Sequence, residues 1–129
     1  MIESSLHLLW FSKTMQEIDY SNIPSAFSIK ALEESLGLNE NDITVWKRRK
    51  HLWYDEPKSR GQTVFLNREN ILKVIVISLI RQETIEKKGE NAQYSADVKI
   101  AFAYSDWLED YANQIMEVAE KCFRPRVIQ

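Results

Sequence analysis

Lys47, Arg48, Arg49 and Lys50 stand in an unbroken run between Trp46 and His51-Leu52-Trp53, and Lys58 and Arg60 follow after a short polar interval. Ammonium and guanidinium groups at this density are suited to binding phosphate, Lys as a point charge and Arg as a planar fork that also matches the edge of guanine. The run is set in an acidic chain. Residues 44–73 hold eight Lys and Arg against three Asp and Glu, net +5, whereas residues 1–43 carry net −5, residues 89–129 net −3 and the whole chain net −2. Polarity of this kind steers a polyanion to one face. Double-stranded DNA is the expected partner. A protein-interaction module that grips an acidic partner is the alternative, and a solvated helix face is the plainest reading of all.

Other chemistry is poorly supplied. Asp106, Glu109 and Asp110 are near neighbours that could imitate a carboxylate site, but no His accompanies them and they read as the solvent face of a helix. Cys122 as a nucleophile would need a base, and the two His, His7 and His51, lie far from it in sequence. A single Cys excludes an intrachain disulfide and a Cys-rich zinc site. Gly37, Gly61 and Gly89 are isolated, so there is no Gly-rich phosphate loop. A non-enzymatic protein with no cofactor and no metal is expected. With 44% hydrophobic and 28% charged residues the composition is that of a folded protein. The first residues lack the basic region and cleavage pattern of a signal peptide, and no apolar run approaches the roughly 20 residues that cross a bilayer. The expectation is therefore a cytoplasmic protein with no membrane partner.

Several elements must position the basic run. Leu8, Leu9, Phe11, Met15 and Ile18 recur at helical spacing and predict a short amphipathic helix, an N-terminal segment (residues 1–22) that covers the core or contacts a protein partner. Ser28 is a candidate N-cap for a helix over 29–36, which Gly37 ends. Asn39-Glu40-Asn41-Asp42 turns the chain, with Asn41 as the favoured cap and Asn39 as the alternative, into a second helix over about 43–50. Two short helices this close have helix-turn-helix spacing. Residues 55–61 read as a turn flanked by strand-favouring Trp53-Tyr54 and Thr63-Val64-Phe65, which predicts a small β-hairpin wing. Asn67 offers a cap for an apolar helix over 70–81 that presents Ile71, Val74, Ile75, Ser78 and Leu79 on one face, widened by Ile77 and Ile80. These elements make a unit over 23–82, followed by a charged linker over 83–96. A last helix over 97–129, starting near Ser95 or Asp97 and reaching Phe123 before Arg124-Pro125-Arg126, carries Ala101, Tyr104, Leu108, Tyr111, Ile115, Val118 and Cys122 as a seam at spacings of three and four. Such a seam wants a facing helix. It packs either within the chain or against a second copy, and its place beyond a completed unit favours a homodimer.

Phe27-Ser28-Ile29, Leu32, Gly37-Leu38, Val45-Trp46, His51-Leu52, Arg60-Gly61, Phe65 and the helix up to Arg81 together resemble the DNA-binding domain of the mercury-resistance-regulator (MerR) family. The likeness covers residues 27–81. The chain departs from the family pattern in having His51 at a preferred Gly, Val45-Trp46 at two Tyr, and Gln62-Thr63 at Tyr-Arg. The resemblance implies a mainly α fold, a winged helix-turn-helix with a small β-hairpin wing and a long C-terminal helix. It also implies duplex DNA as target, regulation of transcription as function, and dimerisation through an antiparallel coiled coil. The small size and missing effector domain bring excisionase-like and phage-packaging relatives into view.

On the second helix, Trp46 belongs to the core side with Ile43, and Thr44, Lys47 and Arg48 are the groove candidates, Arg48 being favoured as a guanine reader. On the wing, Lys58 and Arg60 are expected on phosphate, with minor-groove insertion or a solvated loop as the alternatives; Arg68 reinforces the same surface, and Lys50 is a further DNA-binding candidate. Trp53 and Tyr54 either close the hydrophobic base of the wing, which is favoured, or stack on exposed bases.

Overall fold

The computed structural model describes residues 21–123. The expected amphipathic helix at Leu8, Leu9, Phe11, Met15 and Ile18 and the helix stop at Arg124-Pro125-Arg126 lie outside those residues. The described chain is mainly helical, with one two-stranded antiparallel sheet.

Strand β1 (Ala26–Ser28) turns directly into helix α1 (Ile29–Leu36) because Ser28 stays extended while its Oγ accepts the Ala31 N–H at 3.1 Å. Gly37 ends α1 at φ 67°, a left-handed conformation. There the Leu38 N–H reaches back to the Glu33 carbonyl at 2.8 Å and the Gly37 N–H to that of Glu34 at 3.3 Å. A Cβ at position 37 would meet no atom within 4 Å, so φ and not space selects glycine.

Helix α2 (Asp42–Arg48) starts differently from expectation. Asn41 is left-handed at φ 77° and its side chain makes no cap bond. The neighbouring groups are satisfied by carboxylates instead: Glu33 accepts the Asn41 N–H, and Asp42 Oδ2 accepts the Asn39 N–H at 2.9 Å and Arg81 Nη1 at 2.7 Å. The helix stops at Arg48, short of Lys50. Lys50 takes φ 66° and donates its N–H to the Lys47 carbonyl at 2.9 Å, while the His51 N–H returns to Trp46 at 2.9 Å. This repeats the closure of α1 without a glycine.

The expected hairpin across residues 55–61 is replaced by a longer-range pairing. Strand β2 (Phe65–Asn67) runs antiparallel to β1 in the register Ala26↔Asn67, Phe27↔Leu66, Ser28↔Phe65, and the Ile29 N–H extends the ladder to Val64 at 3.0 Å. Trp53-Tyr54 forms no strand. The Trp53 N–H is already used by Asn70 Oδ1 at 2.9 Å, and Pro57 has no N–H to give a ladder. The loop between is held by its own bonds, Gln62 N–H to Ser59 at 3.2 Å and Lys58 N–H to Gln62 Oε1 at 2.6 Å.

Asn67 Oδ1 caps helix α3 (Arg68–Lys88) by accepting the Asn70 N–H at 3.0 Å. The helix outruns the expected 70–81 at both ends, and residues 83–88 of the stretch read as a linker over 83–96 are its final turns. Glu83, Glu86, Lys87 and Lys88 are good helix formers on the solvent side, while Thr84 is buried and Gly89 ends the helix with its N–H on Ile85 at 2.8 Å. Ile71, Val74, Ile75, Val76 and Ile77 are all fully buried, so α3 is apolar around most of its circumference. A helix of that kind needs cover on several sides. The sheet supplies one, and the C-terminal helices supply another.

Those helices correct the expectation of one long C-terminal element. The chain forms α4 (Ser95–Tyr104), α5 (Trp107–Asp110) and α6 (Ala112–Phe123). The first break is at Ser105, whose backbone is extended and whose Oγ donates to the Ala101 carbonyl at 2.7 Å. Phe102 and Trp107 meet edge to face at 5.0 Å across this corner. The seam is consumed within the chain. Ile115 and Ala119 are fully buried, as is Val98, and Leu108, Tyr111 and Val118 pack half-buried against the same core. Phe123 meets Phe27 edge to face at 5.1 Å, and Cys122 Sγ donates to the Ser35 carbonyl at 3.3 Å. Only Tyr104 of the predicted seam stands out, at 86% exposure.

Candidate nucleic-acid interface

Packing fixes the rotation of α2. Ile43 and Trp46 are fully buried, which turns Thr44 and Arg48, four residues apart, outward on one stripe. Thr44 borders a groove of about 520 Å³ that also has Lys30, Glu33, Glu34 and Glu40 on its walls, so its surroundings are acidic.

Lys47 is not on that stripe. Its side chain is only 10% exposed and forms an ion pair with Glu56. The ammonium lies 4.6 Å from the centroid of the Trp53 ring and 4.2 Å from that of Tyr54. Sequence reasoning missed this because Glu56 and the two aromatics reach Lys47 only when the loop folds back.

Arg48, Arg49, Lys50, Lys58 and Arg60 are exposed, and among the described residues none of them is in an ion pair. The Arg49 guanidinium lies 5.8 Å from the Tyr94 ring centroid. Arg68 sits at the start of α3, where its Nε donates to the Ile23 carbonyl at 3.0 Å and ties the segment before β1 to that helix.

A clamp from α4 holds the end of α2. Trp46 Nε1 donates to the Tyr94 hydroxyl at 2.8 Å, and His51 Nε2 shares a hydrogen bond with Ser95 Oγ at 2.9 Å. Neither partner was legible locally; the one sequence signal was that a buried indole N–H and a buried imidazole need partners. Asn70 was missed for the same reason. It is 8% exposed, donates through Nδ2 to Asn67 at 2.8 Å and fixes the Trp53 backbone.

Burial, reinforced by Lys99 and Arg49, holds the His51 imidazole below its ordinary 6.5. In that window the unfolded chain binds a proton that the folded chain does not, so His51 costs stability as the pH falls below about 6.5 and adds no further loss below its folded pKa. The urea midpoint is expected to drop between about pH 7.5 and about pH 5.5, and His51→Gln, which keeps a partner for Ser95 without titrating, to remove most of that drop. An unchanged slope in the variant would assign the drop to other groups. Glu33, raised above 4.5 mainly by burial, acts with the opposite sign at lower pH, where the folded chain holds the proton more strongly.

The residues that could imitate a catalytic centre are dispersed in role. Glu109 and Asp110 lie on α5 with Asp106 just before it, and burial pushes the Cys122 thiol up. Among the described residues no group of three or more His, Cys, Asp or Glu is placed to hold a metal ion, and no helix is long and apolar enough to cross a membrane. No protein-family model, curated protein or solved structure matches the chain.

Proposed function

We propose that the chain is a sequence-specific duplex DNA-binding protein that regulates transcription, with residues 26–88 acting as a winged helix-turn-helix. The observation that carries this reading is the set of exposed cations Arg48, Arg49, Lys50, Lys58 and Arg60, none of them in an ion pair among the described residues of a chain that is net negative. Cations left uncompensated beside each other repel, and a phosphate backbone relieves that repulsion while releasing its counterions. The short turn between α1 and α2, and the loop that leaves α2 and returns through β2, add support, as does the resemblance to the mercury-resistance-regulator family over residues 27–81.

In this reading α2 enters the major groove. Arg48 reads a guanine, with Thr44 beside it, and Lys50, Lys58 and Arg60 contact phosphate. Arg68 spends one nitrogen on Ile23 and keeps its other donors for a phosphate. Lys47 organises the loop rather than touching DNA, because Glu56, Trp53 and Tyr54 already surround it. A homodimer on DNA would need a surface other than the seam, whose residues, Tyr104 apart, are buried or half-buried within the chain. With DNA as target, a cytoplasmic location goes with the reading.

Selection from randomised duplexes at low salt, followed by a salt series on the enriched sequence, tests the proposal. A sequence motif is expected to emerge, with log affinity falling by about 0.9 per decade of salt for each phosphate neutralised. Two half-sites in the motif would indicate a dimer. Absence of enrichment together with absence of binding at low salt would overturn the proposal. Equal binding to duplex and to polyglutamate would favour an acidic protein partner.

A further inference from the structure

Trp53 and Tyr54 part company in the fold. Tyr54 is 8% exposed and closes the base of the loop, whereas Trp53 is 65% exposed. A single exposed apolar side chain is ordinary on a protein surface. This one is held in place. Its backbone N–H is fixed by the buried Asn70, and the Lys47 ammonium sits 4.6 Å from its ring centroid, itself anchored by Glu56 and Tyr54. Trp53 also borders a depression of about 380 Å³ whose other walls are Lys47, Lys50, His51, Leu52 and Lys73. Those walls bring three cations and no carboxylate. Lys47 is neutralised by Glu56, and Lys73 lies 3.6 Å from Glu69, so Lys50 supplies the least compensated charge.

An anchored indole beside one uncompensated ammonium group, Lys50, and a second, Lys73, held only by an exposed carboxylate, matches one chemistry well. Every nucleobase has a flat face that stacks on an aromatic ring, and each base arrives with a phosphate that a lysine can take. A regular duplex offers no free base face along its length, so only an unpaired base can use the ring. We propose that the Trp53 depression binds a single unpaired nucleotide, with its base stacked on Trp53 and its phosphate at Lys50 and Lys73. The chain thereby prefers DNA carrying an unpaired or extruded base next to its duplex site. This inference rests on the DNA-binding reading and adds a site whose lining includes neither Arg48 nor Thr44.

Three DNAs of one mixed sequence at low salt separate the possibilities: a perfect duplex, the same duplex with one extra unpaired adenosine, and the same duplex with an extra abasic residue in that place. The adenosine bulge is expected to bind the parent protein more tightly than the other two. Trp53→Ala should weaken binding of the adenosine bulge by about 5- to 150-fold, the factor expected from one lost base–aromatic stack, and leave the perfect duplex unchanged. Trp53→Phe should retain part of the preference. Lys73→Gln should lower the salt slope for the bulge by about one unit. Circular dichroism on each variant establishes that the fold is kept. If the parent protein binds adenosine and abasic bulges equally, or if Trp53→Ala preserves their difference, the nucleotide site is overturned while duplex binding stands. If none of the three DNAs binds, the DNA-binding reading itself falls, and the site with it.

Discussion

Ile115→Asp is expected to be the most destabilising of three substitutions along the predicted seam, by more than about 4 kcal/mol. Ile115 is fully buried on α6 in the same core as α3. The substitution removes a packed aliphatic side chain, at about 2–5 kcal/mol for truncation alone, and puts in its place a carboxylate that must be desolvated or protonated. The total exceeds about 4 kcal/mol against a typical stability of about 5–15 kcal/mol. Leu108→Asp, at a half-buried position, should be intermediate. Tyr104→Asp, at a position 86% exposed, should change stability by no more than about 0.5 kcal/mol. Urea unfolding followed by circular dichroism reads the order Ile115, Leu108, Tyr104. A seam between two chains predicts something else: Ile115→Asp would give a folded monomer of half the parent's sedimenting mass with a cooperative transition, and that result would overturn the in-chain packing.

The seam shows why part of the fold was legible in sequence and part was not. Spacings of three and four from Ala101 to Cys122 report which residues face one way, and they are the same whether the facing helix belongs to this chain or another. They also pass over the corner at Ser105, because a serine that captures a carbonyl four residues back leaves little mark on hydrophobic periodicity. Signals that act within a few residues were readable. Ser28 and Asn67 each cap a helix through the N–H three residues ahead, and Gly37 ends one in a left-handed conformation. The pairing of Ala26 with Asn67 was not readable, since strand propensity favours the nearer partner and nothing local ties residue 26 to residue 67. The extra turns of α3 were hidden by charge. Glu83, Glu86, Lys87 and Lys88 resemble a linker in composition, yet they are exposed positions of a helix that still buries Thr84.

The candidate site follows the same division. The basic run and its setting were plain from residue types, but the rotation of α2 was not, and one residue of phase exchanges Lys47 with Arg48. The burial of Ile43 and Trp46 decides it, and the decision rests on tertiary partners: Tyr94 for the indole, and Glu56, Trp53 and Tyr54 for Lys47. Asn41 was misread for a related reason. Its position suits a cap, but Glu33 and Asp42 take the nearby backbone donors, and Asp42 is further drawn to Arg81 across the core edge.

That phase makes the cations unequal in their expected effects. Arg48→Ala is expected to cost about 1–3 kcal/mol at the preferred duplex, a factor of about 5 to 150, and to relax discrimination at one or two base pairs. An exposed guanidinium on the stripe shared with Thr44 can pair bidentately with guanine, and losing it leaves a base edge unread. Lys58→Ala and Arg60→Ala lie on the loop and should weaken all duplexes alike, each lowering the salt slope by about one unit. Lys47→Ala should behave as neither. It removes the ion pair to Glu56 and the contacts to Trp53 and Tyr54, so its effect belongs in thermal or urea stability while base preference at the Arg48 position is kept. Matched and mismatched duplexes measured across salt for the four variants separate these outcomes. If Arg48→Ala changes neither affinity nor preference while Lys58→Ala or Arg60→Ala alters which base is favoured, the loop is the reader and α2 the anchor. Should Lys47→Ala relax base discrimination with stability intact, the ion pair opens on DNA and the groove-facing residue is Lys47, because an ammonium held by Glu56 in the free protein can serve a base only after that carboxylate has let it go.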